Sequence, residues 1–297
     1  MEVNQKDIKN AEWIKECEKN FYDNFYGIVR DICDNRHLRI VRLFGPTCSG
    51  KTTAADILIE LFKGFGKKAH VVSIDDFFFG RDELLKRSRE KGIDGIDYDS
   101  PDTIDCDALK IFATEIFESS EVHCPIFDFK QGKRVGYRSL EIDEDDIFIF
   151  EGIQANYPNV ISMLSEHGSA SIYIAVQSPI EIGGERFEPN EVRFMRRLVR
   201  DYHFRSSNPE FTFMLWESVR ANEEKNIFPF TSSDYSVDSM MEYEIGILKP
   251  YLIDIIGQMD RNDKHYPKAL EILERISHVQ EISSELIVDG MLYCEFV

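Results

Sequence analysis

The ten residues Phe44-Gly45-Pro46-Thr47-Cys48-Ser49-Gly50-Lys51-Thr52-Thr53 constrain this chain more than any other stretch. They fit the pattern G-x-x-x-x-G-K-[ST], and the flanks fit as well: Ile40, Val41, Leu43 and Phe44 read as a strand entering the loop, and 52–65 as a helix leaving it. Gly45 and Gly50 let the backbone curl so that successive N–H groups face a polyphosphate. A helix starting near Lys51 aims its positive end at the same anion. Gly45, Thr47, Ser49, Gly50, Lys51, Thr52 and Thr53 are therefore the candidate phosphate-binding residues. In such a loop Lys51 reaches the β- and γ-phosphates and the Thr52 hydroxyl ligates Mg²⁺.

The next signals are acids at strand ends. An apolar stretch at 67–74 stops at Asp75-Asp76-Phe77-Phe78-Phe79-Gly80, and Asp146-Ile147-Phe148-Ile149-Phe150-Glu151-Gly152 is a buried-strand pattern ending on a carboxylate. Open α/β sheets bind their ligands at the carboxyl ends of strands, which makes Asp75 and Glu151 metal or proton-transfer candidates. Side chains alternate along an extended segment, so only one of Asp75 and Asp76 is expected to face the phosphates.

Around these the periodicity predicts helices at 6–35, 105–119, 157–167, 191–204, 211–224, 241–256 and 266–278, a strand at 171–176 and a short edge strand at 235–237. The polar stretch 81–102 reads as a loop on the acceptor side, and 121–137 as a β-hairpin turning near Gln131-Gly132. Within 191–204, Arg193, Arg196, Arg197 and Arg200 recur at helical spacing, a row suited to clamping phosphates.

Composition matters mainly for what it excludes. With 35 Lys+Arg against 54 Asp+Glu, the net charge of −19 argues against a nucleic-acid or anionic-membrane surface. No apolar run approaches the roughly 18 residues of a membrane span, and the opening residues lack a signal peptide's basic and apolar regions, so the expected location is cytoplasmic. The six cysteines form no C-x-x-C pair and suggest neither zinc nor a disulfide framework.

Taken in order, the phosphate loop, Ser73-Ile74-Asp75-Asp76-Phe77, Tyr98-Asp99-Ser100-Pro101-Asp102, Pro125-Ile126-Phe127-Asp128-Phe129, Phe150-Glu151-Gly152-Ile153 and Arg196-Arg197-Leu198-Val199-Arg200-Asp201 resemble the uridine kinase and phosphoribulokinase group of phosphate-loop kinases, especially bacterial uridine-kinase-like proteins. The resemblance implies an α/β fold: a P-loop NTPase-type three-layer sandwich with a central, mainly parallel sheet and a β-hairpin acceptor region. A helical lid at about 190–206 and extra helices at both ends complete it. The corresponding divisions are 1–36, a kinase domain at 37–251, and 252–297 packed on that domain. It further implies ATP and Mg²⁺ as cofactors and transfer to the 5′-hydroxyl of uridine or cytidine, as in pyrimidine salvage.

In that reading Asp75 is the base and also lies at the metal with Thr52 and Glu151. Asp99 binds ribose hydroxyls, and Arg193 holds the nucleoside. Arg196, Arg197 and Arg200 close over ATP, Arg197 and Lys51 acting in catalysis. Phe78, Tyr98, Phe127 and Phe129 offer stacking surfaces. The chain departs from the family's pattern where the base is read: Phe127 stands for a usual Tyr, Gly132 for a frequent His, and Phe211 near a Gln. Alternatives from the same residues are a kinase for another small alcohol, such as a sugar phosphate, near Arg81, Lys130, Lys133 and Arg134, or a non-catalytic nucleotide-binding regulator. The expected partners are small molecules, with self-assembly left open.

Overall fold

The computed structural model describes residues 5–35, 37–92, 95–98, 100–165 and 168–297. A long helix α1 (Gln5–Asp34) precedes β1 (Ile40–Phe44), α2 (Lys51–Gly64) and β2 (Ala69–Ser73). Helices α3 (Arg81–Glu90) and α4 (Cys106–Glu118) lead to an antiparallel hairpin of β3 (Glu121–Asp128) and β4 (Lys133–Glu141). Then come β5 (Ile147–Glu151), α5 (Pro158–Leu164), β6 (Ser169–Ala175) and a small hairpin of β7 (Ile180–Ile182) and β8 (Glu185–Phe187). The remainder is α6 (Pro189–Arg205), α7 (Pro209–Asn226), β9 (Tyr235–Asp238), α8 (Glu244–Gly257) and α9 (Tyr266–Ser277).

Five strands form one parallel sheet in the order β2-β5-β1-β6-β9. Every residue of β1 is buried, as the run Ile-Val-Arg-Leu-Phe demands of a central strand covered on both faces. Because side chains alternate, Val41, Leu43, Ile147, Ile149, Ile172 and Ile174 join one core with α1, α2, α6 and α8. Ile40, Phe44, Phe148 and Phe150 join the other with α4, α5 and the β3–β4 hairpin. These are the three layers expected. The apolar stripe of α1, including Ile14, Phe21, Phe25, Val29 and Ile32, enters the first core, each fully buried side chain contributing roughly 1.5–3 kcal/mol.

The structure corrects one local expectation and adds one element. The stretch 81–102 is not a continuous loop, because α3 occupies its first half. Only Leu84 of that helix is buried, so no apolar periodicity announces it; the Glu83–Arg87 pair one turn apart supports it instead. The β7–β8 hairpin also goes unannounced by apolar alternation, but its turn carries Gly183-Gly184, both at positive φ, a recognisable two-residue hairpin signal. The short strand at 235–237 is present as β9, the parallel edge of the sheet.

Candidate active site

The sheet brings three elements together at its carboxyl edge. Glu151, the last residue of β5, pairs in register with Leu43 on one side and Ser73 on the other. It therefore lies about 4.8 Å, one strand spacing, from the strand that feeds the phosphate loop and from the strand that leads to Asp75. Asp75 sits half-buried in a one-turn helix, Ile74–Phe77, directly after β2. Burial pushes the Glu151 carboxyl above its ordinary range; the Lys51 ammonium pulls it down, and the Glu295 carboxylate pushes it further up.

The loop itself is held from behind. Gly45 packs so closely on the Ile174 carbonyl that a Cβ would collide with it. Gly50, at φ 87°, is the left-handed residue from which α2 starts. Cys48 also has positive φ, 56°, a conformation that costs a residue with a side chain about 1–3 kcal/mol unless its surroundings hold it. Arg196 supplies part of that hold, donating to the Cys48 carbonyl at 3.2 Å, while Arg193 donates to the Thr47 carbonyl at 3.1 Å. A peptide's C=O and N–H point in opposite directions, so drawing these two carbonyls toward α6 turns the N–H groups of Cys48 and Ser49 away from it. Lys51 Nζ donates to the carbonyls of Gly45 and Pro46 at 3.1 and 3.0 Å, Thr52 is exposed, and the Ser49 hydroxyl is buried without a hydrogen-bond partner.

The arginine row divides. Arg193 and Arg196 are 1% and 0% exposed, and each is gripped by a carboxylate: Arg193 by Glu223 at 2.6 and 2.7 Å, Arg196 by Glu244, with a further bond to the Ser239 carbonyl at 2.7 Å. Burial works against the Arg196 charge, but Glu244 outweighs it and holds the guanidinium above its ordinary range. In this conformation the two arginines shape the loop, and neither guanidinium is open to a ligand. Arg197 and Arg200 are mostly buried as well, with side chains 11% and 12% exposed, and both donate to Asp201, at 3.1 Å and at 3.0 and 2.7 Å.

Beyond the turn after β2 lies an aromatic cluster. Phe78 packs against Tyr98, Phe127 and Phe129 at ring distances of 6.3, 5.8 and 6.1 Å. Of the four rings read as stacking surfaces, Phe78 and Phe127 are buried and build the cluster; Phe129 is exposed and Tyr98 half-buried. Asp99 lies outside the described residues. Asp76 accepts the Phe127 N–H at 3.0 Å and lies 4.0 Å from Arg138, so the second aspartate faces the hairpin. Both acids lie on a one-turn helix, so strand alternation does not apply to them. Arg134 pins the same hairpin to the turn by donating to the Phe77 carbonyl and Asp105, each at 3.0 Å. Beside it, Arg81 donates to the Phe129 carbonyl at 3.0 Å and fills the space over Gly132, where a Cβ would come within 2.7–2.9 Å of it. Phe211 is exposed on α7.

A model of the phosphoribulokinase / uridine kinase family matches residues 40–245. The chain belongs to this family. Uridine kinase of Ureaplasma urealyticum is 24% identical over 180 residues, covering 61% of this chain and 77% of that protein. A protein named inorganic pyrophosphatase TTM1, of Arabidopsis thaliana, is 28% identical over 214 residues, covering 70% of this chain and 28% of its own length. Among solved structures, phosphoribulokinase from Rhodobacter spheroides aligns with 82% of this chain and 99% of its own at 14% identity, with a TM-score of 0.44.

The family match runs from β1 to the start of α8 and leaves α1, α9 and everything after them outside. The site residues that sequence reasoning missed are partners rather than motif members. Glu223 and Glu244, 30 and 48 positions from their arginines, carry no local signal that would have found them.

Proposed function

We propose that this family member is an ATP- and Mg²⁺-dependent kinase that phosphorylates the 5′-hydroxyl of a nucleoside, uridine or cytidine. The observation that carries the reading is the sheet edge itself: Glu151 in register between the strand entering the phosphate loop and the strand ending at Asp75. Phosphoryl transfer needs a positioned hydroxyl, an acceptor for its proton and compensation of phosphate charge, with little covalent chemistry from the protein. Asp75 serves as the proton acceptor. Lys51 leaves the carbonyls of Gly45 and Pro46 for the phosphates, and the backbone curl supplies neutral donors.

Mg²⁺ fits this donor set. Among the described residues no cluster of three or more His, Cys, Asp or Glu side chains could cage a metal, and an exposed threonine hydroxyl at the start of α2 suits an ion that keeps water and phosphate oxygens as its other ligands. Thr52 and Glu151, with Asp75 alongside, would hold it; when bound it supplies charge neutralisation at the phosphates. Arg197 and Arg200, released from Asp201, are the arginines assigned to close over the nucleotide.

A nucleoside is favoured over a sugar phosphate because two of the acceptor-side cations are already committed, Arg134 to Asp105 and Arg81 to the Phe129 carbonyl, beside an exposed aromatic ring. The test is an assay of the purified protein with ATP, Mg²⁺ and a panel of nucleosides and sugar phosphates. A nucleoside 5′-monophosphate is the expected product; turnover of a sugar phosphate alone would overturn the acceptor, and no turnover of any alcohol with intact ATP binding would favour a regulator.

A further inference from the structure

The phosphate loop is touched by residues far beyond the span that the family model matches. A one-turn segment, Leu292–Glu295, packs on α2 at its loop end. Leu292 is fully buried, and its side chain occupies the space that a Cβ on Gly50 would need. On the first turn of α2, Thr53 Oγ1 donates to Glu295 Oε2 at 3.4 Å. The Glu295 carboxylate also lies close enough to Glu151 and Arg200 to act on both charges.

The segment is anchored on several sides. Tyr293 and Phe296 are completely buried. Tyr293 donates its hydroxyl to the Glu244 carbonyl at 3.3 Å, Phe296 lies beneath the Arg196 guanidinium at 5.1 Å, and the Leu292 N–H donates to Glu18 of α1 at 3.4 Å. Arg196 and Glu244 therefore both brace the loop and seat this turn.

The first turn of α2 is where the loop's free N–H groups and the positive helix end await an anion. Glu295 already offers one there, and a polyphosphate entering the same place meets a like charge. We infer that Glu295 is an internal competitor of the nucleotide, so that a nucleoside triphosphate binds only as this carboxylate moves off Thr53. The inference rests on the proposed nucleotide reading of the loop. It makes Glu295 the residue that sets how tightly the site takes phosphate charge.

The experiment compares the full chain with Glu295→Gln by calorimetric titration of ATP, ADP, AMP and adenosine in the presence of Mg²⁺. The variant keeps the side chain's shape and removes its charge. It should bind ATP about tenfold more tightly, with the gain falling from ATP to AMP, absent for adenosine, and shrinking as salt is raised toward about 1 M. Leu292→Ala, which loosens the turn and leaves the charge, should give a smaller gain of the same ordering. Unchanged or weaker ATP binding in Glu295→Gln, or an equal change for all four ligands, overturns the competitor role and leaves the turn as packing. If neither the parent chain nor the variant binds ATP while both melt at the same temperature, the nucleotide reading falls and the inference with it.

Discussion

On the phosphate side, the carbonyls of Thr47 and Cys48 are tied to buried arginines, and those arginines are in turn gripped by Glu223 and Glu244 from α7 and α8. On the acceptor side, an aromatic cluster and a hairpin are pinned to the turn after β2 at two points, by Asp76 and Arg134. The first arrangement fixes backbone direction through long-range ion pairs in a dry environment, where a misplaced partner is costly. The second fixes side-chain shape through rings and short local contacts, which tolerate exchange. In the proposed reading, phosphate recognition depends on residues dispersed over the whole chain, while acceptor recognition depends on a compact set between positions 75 and 138.

The sharpest way to separate the two sides is Asp75→Asn. With Asp75 as the proposed proton acceptor, this change should lower kcat by about 10²–10⁴ while ATP affinity stays as in the parent, checked by steady-state kinetics beside a direct ATP titration. Undiminished turnover would remove Asp75 from the base role.

Next in size is the brace. Arg196→Met strands Glu244 in the interior and should cost about 3–5 kcal/mol in urea unfolding, whereas Arg196→Met combined with Glu244→Leu should recover most of it. A double variant as unstable as the single one would show that the pair is not what is being lost.

A smaller effect is expected from Gly132→His. Its positive φ and the close approach of Arg81 should lower stability by about 1–3 kcal/mol and raise KM for the acceptor, with KM for ATP unchanged. Movement of both KM values together would mean that the two sides are coupled.

The smallest concerns pH. Burial raises the Glu18 carboxyl above its ordinary range, against the Tyr243 hydroxyl and the Leu292 N–H, which lower it. A raised carboxyl binds its proton more tightly folded than unfolded, so its favourable contribution is full below the ordinary carboxylate range and disappears as pH rises through the raised value. Melting curves of Glu18→Gln should lose that part of the pH slope; a slope identical to the parent's would show that Glu18 does not contribute to it.

Most of the sheet was legible because its strands obey a local rule. Buried parallel strands need largely apolar runs, which 40–44 and 147–151 carry, while the edge strand 69–73 alternates between half-buried and buried positions. The hairpin at 121–141 showed itself through alternation and a glycine turn. Helix α3 did not, since a helix with one buried residue has no stripe to read. In the site, the order of Lys51, Asp75 and Glu151 could be read, but the burial of Phe78 and Phe127 could not, because an aromatic run looks the same whether it faces a ligand or its own neighbours.

By itself the sequence determined the phosphate loop, the strands around it and the family, since each depends on residues within a few positions of one another or on their order. Only the tertiary structure decided what the arginines of α6 do and what stands at the first turn of α2. Those roles depend on partners brought from tens to hundreds of residues away, Glu223, Glu244 and Glu295 among them. A guanidinium reads the same in a sequence whether a phosphate or a buried carboxylate will meet it, and only packing chooses between them.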